Sequence, residues 1–310
     1  GETSMKILIT GATGFVGKKL VNSLFKEGHE ISVLSRDSEK AKKSFAIPVK
    51  AFSWKTDEVP PQAAFEGIDC VVHLAGEGIA NKRWSDAQKK KIYDSRIVGT
   101  QNLMKALKGL NTKPKTLISA SAIGFYGDRG DEELSETSSR GTGFLPDVCV
   151  DWEKSADASQ IEGLRIVHPR IGIVLGTEGG MLQKLLPLFK LGLGGPVGNG
   201  KQVLSWIHVD DLVSLIKFCI TKESVKGPVN AVAPNPVTNK EFTKAMGKVL
   251  CRPTFFAAPA FAIKLAMGEL SDLVLGSQKV SADKALENGF QFHFPTIESA
   301  LSEIVKKKVN

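Results

Sequence analysis

The sequence lacks paired cysteines. None of its four cysteines belongs to a CxxC pair, and they lie far apart, at Cys70, Cys149, Cys219 and Cys251. This spacing matches neither the common pattern of a zinc site nor a disulfide framework. We therefore expect reduced thiols, no metal site and a cytoplasmic protein.

The sequence also lacks a long uninterrupted apolar run. The longest, "FFAAPAFAIKLAMGEL" at 255–270, contains Lys264 and Glu269, whereas a membrane-spanning helix needs roughly 20 predominantly apolar residues. The first residues carry no basic segment followed by an apolar one, so no secretory signal is expected. We interpret 255–270 as containing a buried helix and expect no membrane partner.

Acidic residues are fewer than basic ones. The chain has 41 Lys and Arg against 33 Asp and Glu, which gives a net charge of +8. A basic balance can indicate nucleic-acid binding, but the lysine runs at 40–43 and 89–91 contain no aromatic residues and are typical of solvated helix faces. We expect no nucleic-acid partner, while an anionic small molecule stays open.

The first 176 residues alternate between strand-like and helix-like segments. "MKILIT" leads into apolar residues at helical spacing, and further strand-like segments stand at 31–34, 49–54, 70–76, 116–122 and 165–176. Strands that alternate with helices predict an α/β fold with a doubly wound parallel sheet. Ligands of such folds bind at the carboxyl ends of the strands.

Three glycines lie at the first junction between strand and helix. Gly11, Gly14 and Gly17 form a G-x-x-G-x-x-G motif in the context that a dinucleotide-binding loop requires. The first glycine permits a tight turn, the second lets the backbone approach a pyrophosphate, and the third allows close helix packing. The helix N-terminus favours the anion. We predict dinucleotide binding here.

The end of the second strand indicates which dinucleotide binds. Arg36 follows Ser35 at a position where NAD-binding chains usually carry an acid, and Asp37 comes one residue late. A guanidinium suits the 2′-phosphate of NADP through charge-assisted hydrogen bonds. We favour NADP as the cofactor. The alternative is that Arg36 is an ordinary solvated surface arginine.

The pattern changes after Gly176. A helix-like stretch ends in the glycine-rich "GLGGPVGNGK", and shorter elements follow Pro228. We predict two parts: a Rossmann domain of residues 5–176 and 204–227, and a smaller substrate-side α+β lobe of residues 177–203 and 228–310.

Several motifs carry a resemblance to a known family. The glycine motif, "HLAG" at 73–76, "SRIVGTQNLMKAL" at 95–107, "SASAIGFYG" at 119–127 and "WIHVDDL" at 206–212 together resemble the extended short-chain dehydrogenases/reductases. The closer likeness is to an atypical branch, the epimerase family related to nucleoside-diphosphate-sugar epimerases, some of whose members are labelled cell-division inhibitors. The marks of this branch are "RW" at 83–84, "GLGGPVGNGKQ" at 192–202 and the tail "PAFAIKLAMGEL…GSQKV…GFQF".

The resemblance implies a set of cofactor contacts. They comprise the pyrophosphate loop, the adenosine ribose end, the middle of the cofactor and the strand beside the nicotinamide. In that order the residues are Gly11, Thr13, Gly14, Phe15 and Val16; Ser35 and Arg36; Leu74, Ala75 and Gly76, with Arg96 and Ser119 facing the cofactor; and Pro169, Arg170 and Ile171. For Arg96 and Arg170, structural ion pairing is the competing interpretation.

Tyrosine is scarce, and this affects the catalytic prediction. The family's catalytic tyrosine carries a lysine four residues later, but the only tyrosines here, Tyr93 and Tyr126, lack one. By spacing, the family's pair falls on Cys149 and Glu153. These two lie on one side of a helix, which either packs passively beside the cofactor or offers a nucleophile or a general acid or base.

Two other residues are candidates for catalysis. Ser121 matches the family's serine at a strand end, and Tyr126 is a possible replacement for the missing phenol. We predict an NADP-dependent oxidoreductase or epimerase-like enzyme that acts on a nucleotide sugar or another small anionic alcohol or ketone. The alternative is a non-catalytic NADPH-binding sensor or partner protein. A homodimer is compatible with either.

Overall fold

The computed structural model describes residues 3–306. In chain order, its strands and helices are β1 (Lys6–Thr10), α1 (Phe15–Lys26), β2 (Glu30–Ser35), α2 (Ser38–Lys43), β3 (Lys50–Ser53), β4 (Cys70–His73), α3 (Asp86–Lys108), β5 (Thr116–Ser119), β6 (Ser121–Ala122), β7 (Glu133–Leu134), α4 (Phe144–Ser155), β8 (Arg165–Ile171), β9 (Ile173–Leu175), α5 (Gly180–Lys190), β10 (Val203–Leu204), β11 (Trp206–His208), α6 (Val209–Thr221), β12 (Gly227–Ala231), β13 (Val237–Thr238), α7 (Asn239–Leu250), α8 (Ala260–Met267), α9 (Asp272–Leu275), β14 (Lys279–Val280), α10 (Asp283–Glu287) and α11 (Ile297–Lys306).

The central sheet is parallel and doubly wound, as predicted. Its strands follow the order β12-β8-β5-β4-β1-β2-β3, and the short β6 also pairs with β8. The chain starts in the interior of the sheet, builds outward to β3, and then returns to build the other half. Because the order reverses beside β1, the loops after β1 and β4 diverge there and leave a crevice at the carboxyl edge.

Helices cover both faces of this sheet. On one face, α1 and α6 pack through buried aliphatic side chains such as Leu20, Leu24, Leu212 and Ile216. On the other face, α3 contributes Leu103 and packs on the strands together with Trp54. Strands covered on both faces explain why the centres of β1, β4 and β5 consist of consecutive apolar residues.

A second cluster of buried side chains holds the smaller lobe together. Leu182 and Leu186 of α5 meet Phe242 and Met246 of α7, and Leu301 of α11 completes the cluster. The start of α7 is fixed by a capping box, in which the side chains of Thr238 and Glu241 bond to each other's backbone N–H groups.

Two segments differ from the sequence expectations. The main sheet continues past residue 227, because Gly227–Ala231 pairs with β8 as an edge strand, where a proline such as Pro228 is tolerated. The sequence predicted a buried helix within 255–270. This prediction was wrong for α8, the longest helix in that range, since α8 contains no buried residue. No helix within residues 3–306 is long and apolar enough to cross a membrane.

A buried histidine links three elements beneath the carboxyl edge. Thr10 Oγ1 accepts hydrogen bonds from the backbone N–H groups of Leu74 and Ala75 and lies 2.6 Å from His73 Nδ1. The threonine hydroxyl therefore donates to Nδ1, which leaves Nε2–H to donate to Thr100 Oγ1, 2.9 Å away on α3. The neutral ring satisfies both contacts, and burial lowers the pKa of His73 from 6.5 to about 4.

This histidine should make stability depend on pH. The unfolded chain takes up the His73 proton first, because the folded-state pKa of about 4 lies below the ordinary 6.5. The contribution of neutral His73 to the free energy of unfolding is complete above pH 6.5 and is lost as the pH falls from 6.5 towards 4. It amounts to at most about 3 kcal/mol. Urea unfolding measured at several pH values checks this, with His73→Gln as the control. An equal loss of stability in both proteins over this window would contradict it.

Candidate functional site

The three glycines of the first loop lie in different structural environments. A Cβ on Gly11, whose φ is +67°, would lie 2.7 Å from the Leu74 carbonyl carbon, and one on Gly17 would lie 2.1 Å from the Gly11 oxygen. Both glycines are therefore required by packing within the protein. Gly14 is exposed at the N-cap of α1, and a Cβ there would meet only the Gly11 oxygen, at 3.4 Å. The space above Gly14 is open to a ligand.

The other predicted loop residues divide into those facing solvent and those facing the protein. Thr13 is exposed beside Gly14. The Phe15 ring instead packs beneath the turn after β9, where a Cβ on Gly179 would lie 2.7 Å from it. Val16 packs against the core. Thr13 and Gly14 thus form the open part of the loop, and Phe15 and Val16 support it.

Two charged residues, Arg36 and Asp37, follow β2 and lie in different environments. The Asp37 carboxylate accepts a hydrogen bond from the Lys40 backbone N–H at 3.1 Å and caps α2. The Arg36 side chain follows the half-buried Ser35, is 80% exposed, and approaches Glu77 Oε2 only to 3.9 Å. Asp37 is therefore engaged in a helix cap, and the Arg36 guanidinium is accessible at the edge of the crevice.

Arg96 lies beneath the loop that follows β4. A Cβ on Gly76 would lie 3.0 Å from the Arg96 guanidinium carbon. Arg96 donates to the carbonyl oxygens of Glu77 and Ile92, at 2.8 and 3.3 Å, and its guanidinium lies 5.0 Å from the Trp152 ring. The hydrogen bonds of this buried cation thus go to backbone carbonyls, unlike those of an ordinary ion pair.

Three buried polar atoms around this loop have no hydrogen-bond partner within residues 3–306. They are Ser119 Oγ at the end of β5, Arg96 Nε and Trp152 Nε1. An unpartnered buried polar group costs about 1–3 kcal/mol, so three in one region indicate a place where a polar ligand or water completes the structure. Together with the open space above Gly14, they fit a bound dinucleotide along this edge.

The Ser121 hydroxyl is tied to an ion pair. Its Oγ donates to Glu153 Oε2 at 2.5 Å. Arg170 meets the same carboxylate with two parallel contacts of 2.9 Å, from Nε to Oε2 and from a terminal nitrogen to Oε1. The two charged side chains are 4% and 13% exposed. For Arg170 the structure therefore shows the ion pair that was the competing interpretation.

Tyr126 lies behind this pair and is fully buried. Its hydroxyl donates to Asn230 Oδ1 at 2.5 Å and accepts from an Arg170 terminal nitrogen at 3.0 Å. Burial raises the pKa of Tyr126. The Arg170 guanidinium also lies 3.6 Å from the centre of the Phe125 ring. The phenol is thus a structural partner of Arg170, enclosed within the protein.

The strand that carries Arg170 changes its pairing partner next to the site. Pro169 has no N–H to donate, and the pairing of β8 passes here from β5 to β6. Across this gap, His168 Nδ1 lies 3.1 Å from the Ser119 carbonyl oxygen. Ile171 follows as a half-buried residue opposite Ala122. The pairing with β6 places Ser121 opposite Arg170 at the end of the sheet.

Sequence reasoning missed two residues of this network. The Asn230 backbone N–H donates to Glu136 Oε2 at 2.8 Å, and its side-chain amide donates to the Ser281 carbonyl oxygen. The Glu136 carbonyl oxygen accepts from Arg170 at 3.3 Å. No motif marks these residues, which come together only because β12 joins the sheet beside β8.

Cys149 lies on α4, one turn before Glu153, and is buried. Burial raises the pKa of its thiol to about 12, with a further contribution from the nearby Glu153 charge. The sulfur is close to the backbone at Gly124, where a Cβ would lie 3.5 Å from it. A thiol in this environment stays protonated near neutral pH.

The fold and the glycine-loop crevice define a Rossmann-type protein of the extended short-chain dehydrogenase/reductase class. Residues 7–232 match the NAD dependent epimerase/dehydratase family, and residues 258–304 match a domain of unknown function, DUF1731. The chain therefore belongs to the NAD dependent epimerase/dehydratase family. The predicted resemblance is confirmed, and the tail used as its mark overlaps the second match.

Three relatives illustrate the similarity. The chain is 40% identical over 309 residues to the chloroplastic SDR39U1 homolog of Arabidopsis thaliana, an epimerase family protein, covering 98% of this chain and 88% of that one. The crystal structure of human SDR39U1 with NADPH superimposes with a TM-score of 0.88 at 32% identity, over 97% and 99% of the two chains. A nucleoside-diphosphate sugar epimerase from Corynebacterium glutamicum gives a TM-score of 0.78 at 34% identity, over 98% of this chain and 58% of that one.

The environments of the four thiols lead to a labelling prediction. Cys70, Cys149 and Cys219 are buried with pKa values raised to about 12, whereas Cys251 is exposed. Iodoacetamide at neutral pH should therefore alkylate the native protein at Cys251 alone, as measured by peptide mass spectrometry. Cys251→Ser should abolish fast labelling, and urea should expose all remaining thiols. Fast labelling of Cys149 in the native protein would reveal a reactive thiolate and contradict this description.

Proposed function

We propose that the protein binds NADP(H) and exchanges hydride and a proton with a hydroxyl or carbonyl group of a small molecule. The observation that carries this proposal is the Ser121 hydroxyl at the carboxyl edge of the sheet, held by Glu153 at 2.5 Å beside the glycine-loop crevice. This arrangement offers a proton path where the family's tyrosine and lysine are missing.

Several residues support binding of this cofactor. Gly14 and the N-terminus of α1 leave room for a pyrophosphate. Arg36 is accessible where a 2′-phosphate would lie, while Asp37, the next residue in sequence, is engaged in capping α2. The human relative, at 32% identity, was crystallised with NADPH. When bound, NADP(H) supplies the hydride exchange.

The proton path follows from the direction of the hydrogen bonds. A carboxylate only accepts hydrogen bonds, so Glu153, paired with Arg170, requires the Ser121 O–H to point towards it. Ser121 is 2% exposed, so a substrate hydroxyl that donates a hydrogen bond to the lone pairs of its Oγ must enter the crevice as far as the end of β6. As that hydroxyl becomes a carbonyl, Ser121 takes its proton and passes its own proton to Glu153. Reduction runs the same path in reverse. We assign no proton transfer to Tyr126 or Cys149.

The proposed substrate class follows from one relative and from the net charge. The Corynebacterium relative is described as a nucleoside-diphosphate sugar epimerase, and the positive net charge of +8 favours an anionic compound. We propose a nucleotide sugar or another small anionic alcohol or ketone. The homodimer and the cytoplasmic location stay predictions, and the name of the Arabidopsis relative places that protein in the chloroplast.

A second candidate function is a non-catalytic NADPH sensor. The observation that favours it is the absence of a tyrosine with a lysine four residues later. A panel of nucleotide sugars and small keto acids, followed by NADPH absorbance, separates the two functions. Substrate-dependent oxidation supports the enzyme. Tight NADPH binding without turnover of any member supports the sensor.

Arg36 should determine cofactor preference. A hydrogen bond to a charged group contributes about 1.5–3 kcal/mol, so we expect NADPH to bind roughly 10-fold to 150-fold more tightly than NADH. Arg36→Ala should remove most of this preference and leave NADH affinity nearly unchanged, as measured by calorimetry. Lys43→Ala, on α2 and outside the crevice, is a charge-matched control. Equal affinity for both cofactors in the unmodified protein would reject the role of Arg36.

Ser121 should be needed for turnover and dispensable for cofactor binding. Losing a general acid or base typically lowers the rate 10²-fold to 10⁴-fold, so Ser121→Ala should lower kcat by roughly 10²-fold or more while the NADPH Kd changes little. Cys149→Ala is the matched control, since it shortens a buried neighbour outside the proton path, and it should lower kcat only a few-fold. A larger loss in Cys149→Ala than in Ser121→Ala would contradict the proposed path.

Glu153 needs a different readout because its loss leaves Arg170 buried without a partner. Glu153→Gln should lower the free energy of unfolding by about 3–5 kcal/mol. Glu153→Asp keeps the charge and moves the carboxylate away from Ser121, so it should retain NADPH binding and lower kcat. Unchanged kcat in Glu153→Asp would show that the carboxylate accepts no proton from Ser121.

A further inference from the structure

One end of the smaller lobe exposes large apolar side chains. Seven of them are 47% to 82% exposed: Leu188, Leu191, Leu193, Phe255, Phe256, Phe261 and Leu265. Single exposed apolar residues are ordinary, but a cluster of this kind marks an interaction site. We call these seven residues the apolar end.

The apolar end forms from two segments that run side by side. Arg252 Nε donates to the Lys190 carbonyl oxygen. Further along, the backbone N–H groups of Phe256 and Ala258 donate to Gly194 and Pro196. The segment after α5 is thereby fixed against the segment before α8, which places the exposed leucines of the first beside the exposed phenylalanines of the second. Helix α8 follows directly after the second of these segments.

Helix α8 has a composition that conflicts with its exposure. Its sequence "AFAIKLAM" contains one charged residue, yet no residue in it is buried. Helices that are apolar on all sides are normally buried in a core or in lipid. Phe261 and Leu265, four residues apart, lie on the same side of the helix and are 73% and 80% exposed. These side chains therefore lack the covering that their chemistry favours.

The charged residues of the two segments that form the apolar end all have one sign. Residues 179–209 and 242–268 contain no Asp or Glu, and their basic residues are Lys184, Lys190, Lys201, Lys244, Lys248, Arg252 and Lys264. Glu269, just after α8, is within 2.5 Å of Lys89 and is neutralised by it. A covering partner must therefore be apolar at its centre and anionic around it.

This charge pattern separates the possible partners. A second copy of the chain, docked symmetrically, would place like charges against each other, which is unfavourable. An anionic lipid surface meets both demands, because aromatic and leucine side chains insert at the level of the acyl boundary while lysines contact the headgroups.

We propose that the apolar end adsorbs to anionic lipid bilayers as a peripheral contact, with α8 lying in the interface. No spanning helix is needed for this mode of binding. It revises the expectation that the chain has no membrane partner, and it is independent of the proposed NADP(H) chemistry.

The test is flotation of the full chain with vesicles. We expect binding to vesicles of phosphatidylcholine with phosphatidylglycerol, weaker binding as salt increases, and little binding to phosphatidylcholine alone. Phe261→Ser with Leu265→Ser should abolish binding. Lys190→Gln with Lys264→Gln should weaken it roughly 30-fold, or about fivefold for each charge.

Matched controls exclude general effects of charge and polarity. Lys42→Gln with Lys43→Gln makes the same charge change on α2, and Val59→Ser with Leu286→Ser removes exposed apolar residues outside the apolar end. Both control proteins should bind vesicles like the parent, and thermal melting should show that all variants are folded.

Four results would overturn the proposal. The first is equal binding to neutral and anionic vesicles, and the second is unchanged binding in Phe261→Ser with Leu265→Ser. The third is a parent protein that does not bind vesicles but forms a dimer, which Phe261→Ser with Leu265→Ser dissociates. The fourth is binding to single-stranded RNA and not to vesicles. The third result would assign the surface to self-association, and the fourth to nucleic acid.

Discussion

The buried contact between Glu153 and Arg170 organises the site. It joins α4 to β8, orients the Ser121 hydroxyl, and through Arg170 fixes the Tyr126 phenol, whose own bond continues to Asn230 on β12. A buried ion pair is favourable only when its remaining hydrogen bonds are also made. Here Ser121 supplies a hydrogen bond to Glu153, and Tyr126 accepts one from Arg170. The positions of α4, the end of β6 and the edge strand β12 are therefore all set by the same ion pair.

The same ion pair involves the position on which, by spacing, the lysine of the resembled family falls. A lysine at this position would contribute a positive charge, whereas Glu153 contributes a negative one that Arg170 balances. In this ion pair the two charges beside Ser121 therefore cancel. The buried and protonated Cys149 thiol adds no charge of its own.

The sequence was most informative where function depends on local geometry. The loop at Gly11, Gly14 and Gly17, the alternation of strands and helices, and the motifs of the tail were sufficient for the fold class and the family, because each is encoded within a short segment. Contacts across the chain could not be predicted in this way. Glu153 and Arg170 are 17 residues apart, and Tyr126 and Asn230 are 104 apart, so no spacing rule links them.

The other misses also have physical causes. The edge strand β12 begins with Gly227 and Pro228, which usually break strands, and only its pairing with β8 reveals it. The exposure of α8 contradicts its composition. Hydropathy indicates which environment a segment prefers. It does not indicate whether the same chain or a separate binding partner supplies that environment.

The packing around the Cys149 sulfur has a consequence for sequence evolution. A tyrosine at position 149 would have to fit against the backbone at Gly124, where a Cβ would already lie 3.5 Å from the sulfur. A lysine at position 153 would stand beside Arg170 with no carboxylate between the two cations. Each replacement alone is unfavourable, and both together still leave two buried positive charges. Substitutions at these two positions are therefore epistatic, since a tyrosine and lysine pair would require coordinated changes in α4, around Gly124 and in β8.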